Sequence, residues 1–351
     1  MPKIIDENPL VSVCIPAYNA EKTIEKTLDS IICQDYENME VIVSHNHSTD
    51  NTAKIVKQYE RYNVQYFMNP IHPENLINSS SVVSNFNYVI SLAKGKFIAI
   101  YHADDIYDRS IIRRQVCFLE NRENTSCVFT RSHTINRAGE ILKTATGYLP
   151  SVFDCTEIID FNTLLNCIIL AGYHLVFPTL MIRSESLPIV GYFNPKESRM
   201  SDIEYYLRLS RWKPVGLINE KLHYYRLTAK FNYQNMEKYL ADISHFNNFI
   251  DEYINLPEIK PFINPRSLKC YNMIKYTNNV KISTYYFSNN KRKEARDLLN
   301  AFDFSYILVS YKRKKKFLLL LLGFFLLIAD NLRLSPFVSK VLRHINNKRF
   351  K

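Results

Sequence analysis

Short apolar runs rich in β-branched residues alternate with longer amphipathic stretches from residue 10 to about residue 130. Strands are predicted at Leu10–Ile15, Val41–Val43, Val64–Phe67 and Phe97–Tyr101. Helices are predicted between and after them, at Glu21–Cys33, Asp50–Tyr62, Val82–Ala93 and Arg109–Leu119. Strands that alternate with helices of this length are typical of βαβ units. The pattern predicts an α/β fold with a Rossmann-like, mostly parallel sheet wound with helices.

The second half of the chain is less regular. It predicts helices at Thr156–Leu170 and Asp202–Arg211, a strand at Val176–Arg183, and a strand pair at Val215–Ile218 and His223–Leu227. Residues 235–310 are predicted to be helical.

The positive charge of the chain is concentrated near its C-terminal end. The whole chain has 45 Lys and Arg against 34 Asp and Glu. Residues 311–351 alone hold eleven of the basic residues and one acid, Asp330. Because the rest is nearly neutral, no nucleic-acid partner is expected for the chain as a whole. A tail at residues 311–351 that binds nucleic acid is an alternative hypothesis.

The basic cluster Lys312–Lys316 runs directly into thirteen apolar residues, Phe317–Ala329. As a helix this run would be about 20 Å long, which is short of the roughly 30 Å hydrocarbon core of a bilayer. Residues 312–329 are therefore predicted to contact the cytoplasmic face of a membrane as a peripheral or monotopic segment. A buried core helix with a solvated basic flank is the alternative.

The seven cysteines form no C-x-x-C pair, and the first residues contain no apolar segment typical of a signal peptide. Both features favour a reduced, cytoplasmic protein whose cysteines pack in the core.

Polar side chains follow three of the predicted strands. Pro16–Asn19 follows the first strand, Ser44–Asp50 the second, and His102–Asp105 the fourth. Ligands of open α/β sheets bind outside the carboxyl ends of the strands, so these clusters are predicted to meet at one site. The sequence contains neither G-x-G-x-x-G nor a P-loop motif, so phosphate must be held in another way.

Asp104 and Asp105 are adjacent carboxylates at the end of an apolar strand. They repel each other unless a positive charge lies beside them. Mn²⁺ or Mg²⁺ would supply that charge and would complete its coordination with substrate phosphates. Alternatively, the pair caps the helix that follows.

Four ordered blocks resemble glycosyltransferase family 2, whose nucleotide-binding half has the GT-A fold. They are PLVSVCIPAYNAEKTI (9–24), EVIVSHNHSTDNT (40–52), AKGKFIAIYHADDIY (93–107) and, more loosely, SDIEYYLRL (201–209). The resemblance covers about residues 9–230 and implies a nucleotide-sugar donor.

By this resemblance, Pro16, Tyr18 and Asn19 hold the nucleoside, with Tyr18 as a platform for the base. Tyr18 could instead belong to the core, and Glu21 in the same loop is interpreted as an acid in the first turn of a helix. Asn46 takes the position that reads the base edge. His45 beside it could be a loop histidine with satisfied hydrogen bonds.

In the same way, His102 replaces an acid that often touches ribose, and imidazole can form a comparable hydrogen bond. Asp104 aligns with the metal ligand, and Asp105 is a second ligand, a partner of phosphate through water, or a helix cap. Asp202 aligns with the catalytic base of an inverting displacement. Its alternative role is that of a negative charge at a helix N-terminus.

The leading hypothesis is an inverting, metal-dependent glycosyltransferase of cell-surface polysaccharide or glycolipid synthesis. Its donor is expected to be a UDP-sugar, and its acceptor a glycan or a lipid-linked molecule. A non-catalytic nucleotide-sugar-binding scaffold is the alternative, because histidines replace acids at two positions. The domain prediction is a GT-A domain at 1–230 (donor half 9–130, acceptor half 131–230), a helical extension at 231–310 and a membrane-associating tail at 311–351.

Overall fold

The computed structural model describes residues 8–76, 80–142, 153, 156–171, 175–197, 199–227, 236–289, 291–300, 303, 306, 314–331 and 340. The chain forms two compact units. One comprises residues 1–164 and 173–230, and the other comprises residues 165–172 and 231–351. Much of the predicted tail, including Lys312 and Arg313, lies outside the described residues. The division into domains predicted from the sequence stays a prediction.

Four parallel strands form one half of a nine-stranded sheet. They are β1 (Val11–Ala17), β2 (Met39–His45), β3 (Val64–Met68) and β4 (Phe97–Ile100), in the order β3-β2-β1-β4. β1 and β4 are buried almost throughout because they are apolar on both faces, as parallel strands covered by helices must be. The chain steps outward from β1 to β3 and then returns to the other side of β1. This reversal opens a crevice at the carboxyl ends of β1 and β4.

Four helices accompany these strands: α1 (Ile24–Ile32), α2 (Thr52–Gln58), α3 (Ser81–Ser91) and α4 (Ile111–Glu120). In α1, Ile24, Leu28 and Ile31 recur every three or four residues and are completely buried. That spacing places them on one face of the helix, which packs against the sheet. The α/β alternation predicted for this half is confirmed, with element ends displaced by a few residues.

The other half of the sheet is mixed. Its strands are β5 (Ile106–Tyr107), β6 (Cys127–Ile135), β7 (Ile158–Ile159), β8 (Leu180–Arg183) and β9 (Val215–Arg226). β8 lies between β4 and β6 and is antiparallel to both. β9 is parallel to β6 and antiparallel to β5 and β7. Three helices lie between β7 and β9 in the chain: α5 (Phe161–Ala171), α6 (Leu187–Val190) and α7 (Ser201–Trp212).

Two elements of this half begin later than predicted. The helix predicted from Thr156 begins at Phe161, because Ile158–Ile159 pairs with β9. The strand predicted next begins at Leu180, because Phe177–Thr179 is a turn of 3-10 helix with a proline in its first turn.

The predicted strand pair at residues 215–227 is wrong, since β9 is one continuous strand. Asn219, Glu220 and Lys221 have the composition of a turn but lie exposed within the strand. The register between β6 and β9 shifts at Thr130, Arg131 and Ser132. A β-bulge therefore takes up the polar residues that the sequence suggested were a turn.

The second unit is helical in the residues that the structure describes: α8 (Met236–Asn255), α9 (Pro265–Ser288), α10 (Arg292–Leu299) and α11 (Lys314–Asn331). Leu320 and Leu326 of α11 are buried in a cluster with Met273, Tyr276 and Val280 of α9. Among the described helices, none combines the length and the apolar character needed to cross a membrane.

The described cysteines are free thiols of two kinds. Cys14, Cys127, Cys167 and Cys270 are buried, whereas Cys33 and Cys117 are exposed. Burial raises the pKa of the Cys127 thiol to about 12 and that of Cys167 to about 11. Cys155 lies outside the described residues.

Gly95, two residues before β4, lies very close to the backbone of other residues. A Cβ at this position would lie 2.6 to 2.8 Å from backbone atoms of Ser12, Phe97 and Leu10. We expect Gly95→Ala to lower the free energy of unfolding by about 3 kcal/mol, because backbone cannot move aside as a side chain can. Urea denaturation measures this loss.

Gly216→Ala is the matched control. The three atoms nearest to its Cβ would all belong to the ring of Phe118. A side chain can move aside where backbone cannot, so we expect a smaller loss, of about 1 kcal/mol. Equal losses for the two variants would contradict the backbone explanation.

Candidate active site

A cavity of about 760 Å³ opens at the carboxyl ends of β1, β2 and β4. This volume is typical of small-molecule sites. The residues that line it all belong to the first unit. They include all six predicted donor contacts: Pro16, Tyr18, Asn19, Asn46, His102 and Asp104. The three polar clusters therefore meet at one site, as expected from the sheet order.

The loop after β1 is held in shape by Asn19. This residue has a positive φ of 47°, a conformation that Asn adopts more readily than most residues. Its side-chain oxygen accepts a hydrogen bond from the Thr49 N–H (2.9 Å), and its own N–H donates to Ser48 Oγ (3.0 Å). These bonds connect the loops after β1 and β2. Tyr18 beside it is 58% exposed, so its ring lies at the cavity surface and not in the core.

Asn46 lies on the cavity wall with its side chain bonded to the protein. Its Oδ1 accepts a hydrogen bond from Asn69 Nδ2 (3.1 Å), and its Nδ2 donates to the Ser81 carbonyl (3.3 Å). The atoms expected to read a base edge thus already have partners. Its role in base recognition stays a prediction.

Local contacts bear on the alternatives for His45 and Glu21. His45 ends β2, where its Nε2 accepts a hydrogen bond from the Ser48 N–H (3.2 Å), and burial lowers its pKa. Its Nδ1 is buried without a hydrogen-bond partner among the described residues, so His45 is neither a loop residue nor fully satisfied, as the alternative would have it. Glu21 precedes α1, and its carboxylate accepts hydrogen bonds from the N–H and Nδ2 of Asn51, each 3.1 Å long. Glu21 therefore stabilises the start of α2. The sequence-based interpretation of Glu21 as an acid in the first turn of α1 is wrong.

His102 lines the cavity and has one ring nitrogen without a hydrogen-bond partner among the described residues. Burial lowers its pKa to about 4, so the imidazole is neutral at neutral pH. Its ring packs against Phe86 and Phe177. Its Nε2 is buried and has no hydrogen-bond partner among the described residues. A buried polar atom of this kind is costly unless a ligand pairs with it.

Asp104 lines the cavity beside His102. Burial and the neighbouring charge of Asp105 raise the pKa of Asp104 to about 6. Its backbone carbonyl accepts a hydrogen bond from Arg226 Nε (2.8 Å). The carboxylate of Asp104 is thus held at the cavity with its negative charge incompletely offset.

Asp105 is 1% exposed and is not among the residues that line the cavity. Its Oδ1 accepts a hydrogen bond from the Arg226 N–H (2.7 Å), and its Oδ2 lies 3.1 Å from Nε2 of His223. The other ring nitrogen of His223 lies 2.8 Å from Ser132 Oγ. We call Asp105, Ser132, His223 and Arg226 the β9 clamp, because they fix the acid loop to β9.

Neither acid of the pair caps α4. That helix begins at Ile111, and Asp108 is the acid that accepts hydrogen bonds from the N–H and Oγ of Ser110 (2.9 and 2.7 Å). The capping alternative for Asp104 and Asp105 is therefore wrong.

His102, Asp104 and Asp105 form a group that could hold a metal ion. One potential ligand atom from each lies within 4.8 Å of the others. Imidazole nitrogen and carboxylate oxygen are both ligands of divalent metals in proteins.

Two arginines that the sequence did not indicate also line the cavity, Arg137 and Arg226. Arg226 is 4% exposed, and its Nη1 donates hydrogen bonds to the carbonyls of Asn136 (3.2 Å) and Arg137 (3.0 Å). An arginine is seldom buried unless it has such partners. Only its position at the end of a predicted strand could have suggested a role.

Asp202 lies in the first turn of α7. Burial raises its pKa to about 6, although its Oδ1 accepts a hydrogen bond from the Ile203 N–H (2.8 Å). Within the described part of the chain, Asp202 is not one of the residues that line the cavity. The geometry therefore does not place Asp202 at the cavity.

Part of the chain matches a known protein family. Residues 12–185 match the model described as glycosyl transferase family 2. An uncharacterised glycosyltransferase of Methanocaldococcus jannaschii is 26% identical over 251 residues, which cover 69% of this chain and 81% of the relative. The chondroitin synthase of Pasteurella multocida is 26% identical over 310 residues, which cover 84% of this chain and 29% of the synthase. This chain thus spans less than a third of that synthase.

The fold is similar to that of residues 1–349 of TarS from S. aureus, solved in complex with UDP. The TM-score is 0.56 at 16% identity, over 96% of this chain and 91% of that chain. The mixed sheet with its surrounding helices is the GT-A architecture expected from the sequence.

The β9 clamp predicts a specific loss of stability. His223→Ala would leave Asp105 Oδ2 buried without its nearest partner, so we expect a loss of about 2 to 3 kcal/mol in the free energy of unfolding. Urea denaturation measures this loss. His133→Ala, in which a half-buried histidine is removed from the adjacent β6, is the control. A loss no larger than that of the control would show that the clamp does not stabilise the fold.

The raised pKa of Asp202 predicts that the stability of the fold depends on pH. Its pKa is raised to about 6 from 3.8. Its stabilising contribution is therefore complete below the unfolded value and is lost as the pH rises through about 6. We expect Asp202→Asn to raise the Tm relative to the unsubstituted protein at about pH 8 and to change it little at about pH 4. Glu60→Gln, an exposed acid, is the control, and an equal Tm difference at both pH values would contradict the prediction.

Proposed function

We propose that this chain, which belongs to glycosyltransferase family 2, moves a sugar from a nucleoside-diphosphate donor to an acceptor hydroxyl with inversion. Glycosyl transfer itself follows from the family match and the GT-A fold. The donor, the stereochemistry and the acceptor are the proposed part.

The observation that carries this proposal is the meeting of Tyr18, His102 and Asp104 in one cavity. An exposed ring is suited to stack on a base, and the unpaired Nε2 of His102 is suited to a ribose hydroxyl. Asp104 would then face the diphosphate. The positive charges of Arg137 and Arg226 on the same wall favour the binding of an anionic donor.

The carboxylates present fit a divalent cation such as Mn²⁺ or Mg²⁺. Asp104 has a pKa that burial and the charge of Asp105 raise to about 6, so a cation would offset a charge that the protein leaves unbalanced. A bound cation would stabilise the negative charge of the departing nucleoside diphosphate. We propose Asp104 as its principal ligand. Asp105 acts mainly through the β9 clamp, because both its oxygens already face β9.

Asp202 is the proposed base for the acceptor hydroxyl. With its pKa raised to about 6, the carboxylate is ionised at neutral pH and binds a proton more tightly than an ordinary aspartate does. A base of this strength is suited to proton abstraction near neutral pH.

A UDP-sugar is the proposed donor. TarS, which has the same fold, was solved in complex with UDP, and one relative is a chondroitin synthase. The proposed acceptor is a glycan or a lipid-linked molecule of the cell surface.

Donor hydrolysis or transfer by the purified full chain tests the proposal. A panel of nucleoside-diphosphate sugars is offered with Mn²⁺, with Mg²⁺ or with chelator, and released nucleoside diphosphate is measured. We expect metal-dependent release that Asp104→Asn lowers by about 100-fold or more, because charge stabilisation in the transition state is lost. Asp202→Asn should lower kcat by about 100-fold or more while donor binding persists.

Asp108→Asn is the matched control, since Asp108 is an acid of the same segment that does not line the cavity, and an asparagine oxygen can still accept the hydrogen bonds from Ser110. It should retain activity. Donor binding without turnover for any sugar or acceptor would favour the non-catalytic scaffold. No donor binding at all would contradict the proposal.

A further inference from the structure

Helix α11 has two apolar faces with different surroundings. On one face, Leu320, Leu326 and Ala329 are at most 3% exposed. They pack against α9, and the contact is so close that a Cβ at Gly323 would lie 2.6 Å from Val280 Cγ2. The buried carboxylate of Asp330 adds ion pairs to Arg292 and Arg296 of α10. This face fixes α11 to the helical unit.

The opposite face is exposed. Leu318, Leu321, Phe325 and Ile328 are each between 41% and 63% exposed, and we call these four residues the apolar stripe. Their spacing of three, four and three residues places them in one row on a helix, about 15 Å long. Large apolar residues in a continuous row are unusual on a protein surface and indicate an interaction site.

The charge at the start of α11 indicates what covers the stripe. Lys314, Lys315 and Lys316 occupy the first helical positions, and no acid lies in the first turn. Cations at a helix N-terminus oppose the helix dipole, so they do not stabilise the helix by themselves. Basic residues next to an apolar row are suited to a surface that is both apolar and anionic.

We infer that the apolar stripe is a docking surface for an anionic lipid bilayer. The stripe would enter the boundary between headgroups and acyl chains, and α11 would lie along the membrane because its other face stays packed on α9. This inference concerns the second unit alone and does not depend on the transfer reaction. It sharpens the sequence prediction for residues 312–329 by separating the lipid-facing residues from those that pack in the protein.

Sedimentation of the full chain with vesicles tests the inference. We expect binding to vesicles of phosphatidylcholine with phosphatidylglycerol and weaker binding to phosphatidylcholine alone. Leu321→Gln/Phe325→Gln should weaken binding about tenfold or more, because two large apolar side chains no longer enter the bilayer. The control Ile189→Gln/Leu256→Gln replaces two exposed apolar residues outside the stripe and should bind as the unsubstituted protein does. Thermal unfolding by circular dichroism should be unchanged in both variants.

A second variant tests the charge. Lys314→Gln/Lys315→Gln/Lys316→Gln should weaken binding to the anionic vesicles about tenfold or more and leave the weak binding to phosphatidylcholine unchanged. Equal binding to both vesicle types would overturn the anionic part of the inference.

Two further outcomes would overturn it entirely. If a second copy covers the stripe, sedimentation velocity shows a dimer that the Leu321→Gln/Phe325→Gln variant abolishes, without vesicle binding. If another segment of this chain covers it, that variant lowers the Tm and the unsubstituted protein does not bind vesicles.

Discussion

A buried carboxylate is costly unless partners stabilise it, and Asp105 is only 1% exposed. One of its oxygens accepts a hydrogen bond from the Arg226 N–H, and the other lies 3.1 Å from Nε2 of His223, both in β9. The contact joins residues of the first half of the sheet to its last long strand. This contact, together with the hydrogen bond from Arg226 Nε to the Asp104 carbonyl, holds the loop that carries His102 and Asp104 against Arg226. The cavity depends on this connection, because its walls come from both halves of the chain.

Burial has opposite effects on the groups of the site. It makes His102 neutral by lowering its pKa, and it makes Asp104 a weaker acid by raising its pKa. Both shifts disfavour charge in a site where a diphosphate and a cation would bring charges of their own. At neutral pH His102 is therefore uncharged, whereas Asp104, with a pKa of about 6, still carries most of its negative charge.

The parallel half of the fold could be predicted because its strands are apolar on both faces and its helices repeat with a different period. The same reasoning predicted that the proposed donor-binding residues would line one cavity, since polar residues after parallel strands meet at one edge. The continuity of β9 could not be predicted in this way. Three polar residues within it resemble a turn in the sequence, and a β-bulge accommodates them in the structure. The β9 clamp could not be predicted either. Asp105 and Arg226 meet through the short pairing of β5 with β9, which leaves no periodic signal in the sequence.

The buried and the exposed thiols differ in how readily a reagent can reach them. Cys33, directly after α1, and Cys117, within α4, are exposed and can react with a maleimide in the folded protein. Cys14 lies within β1, completely buried, and its thiol donates to the carbonyl of Val89 in α3 (3.5 Å). A reagent reaches this sulfur only when the central strand leaves the sheet. The rate at which Cys14 is modified therefore reports how often this part of the sheet opens.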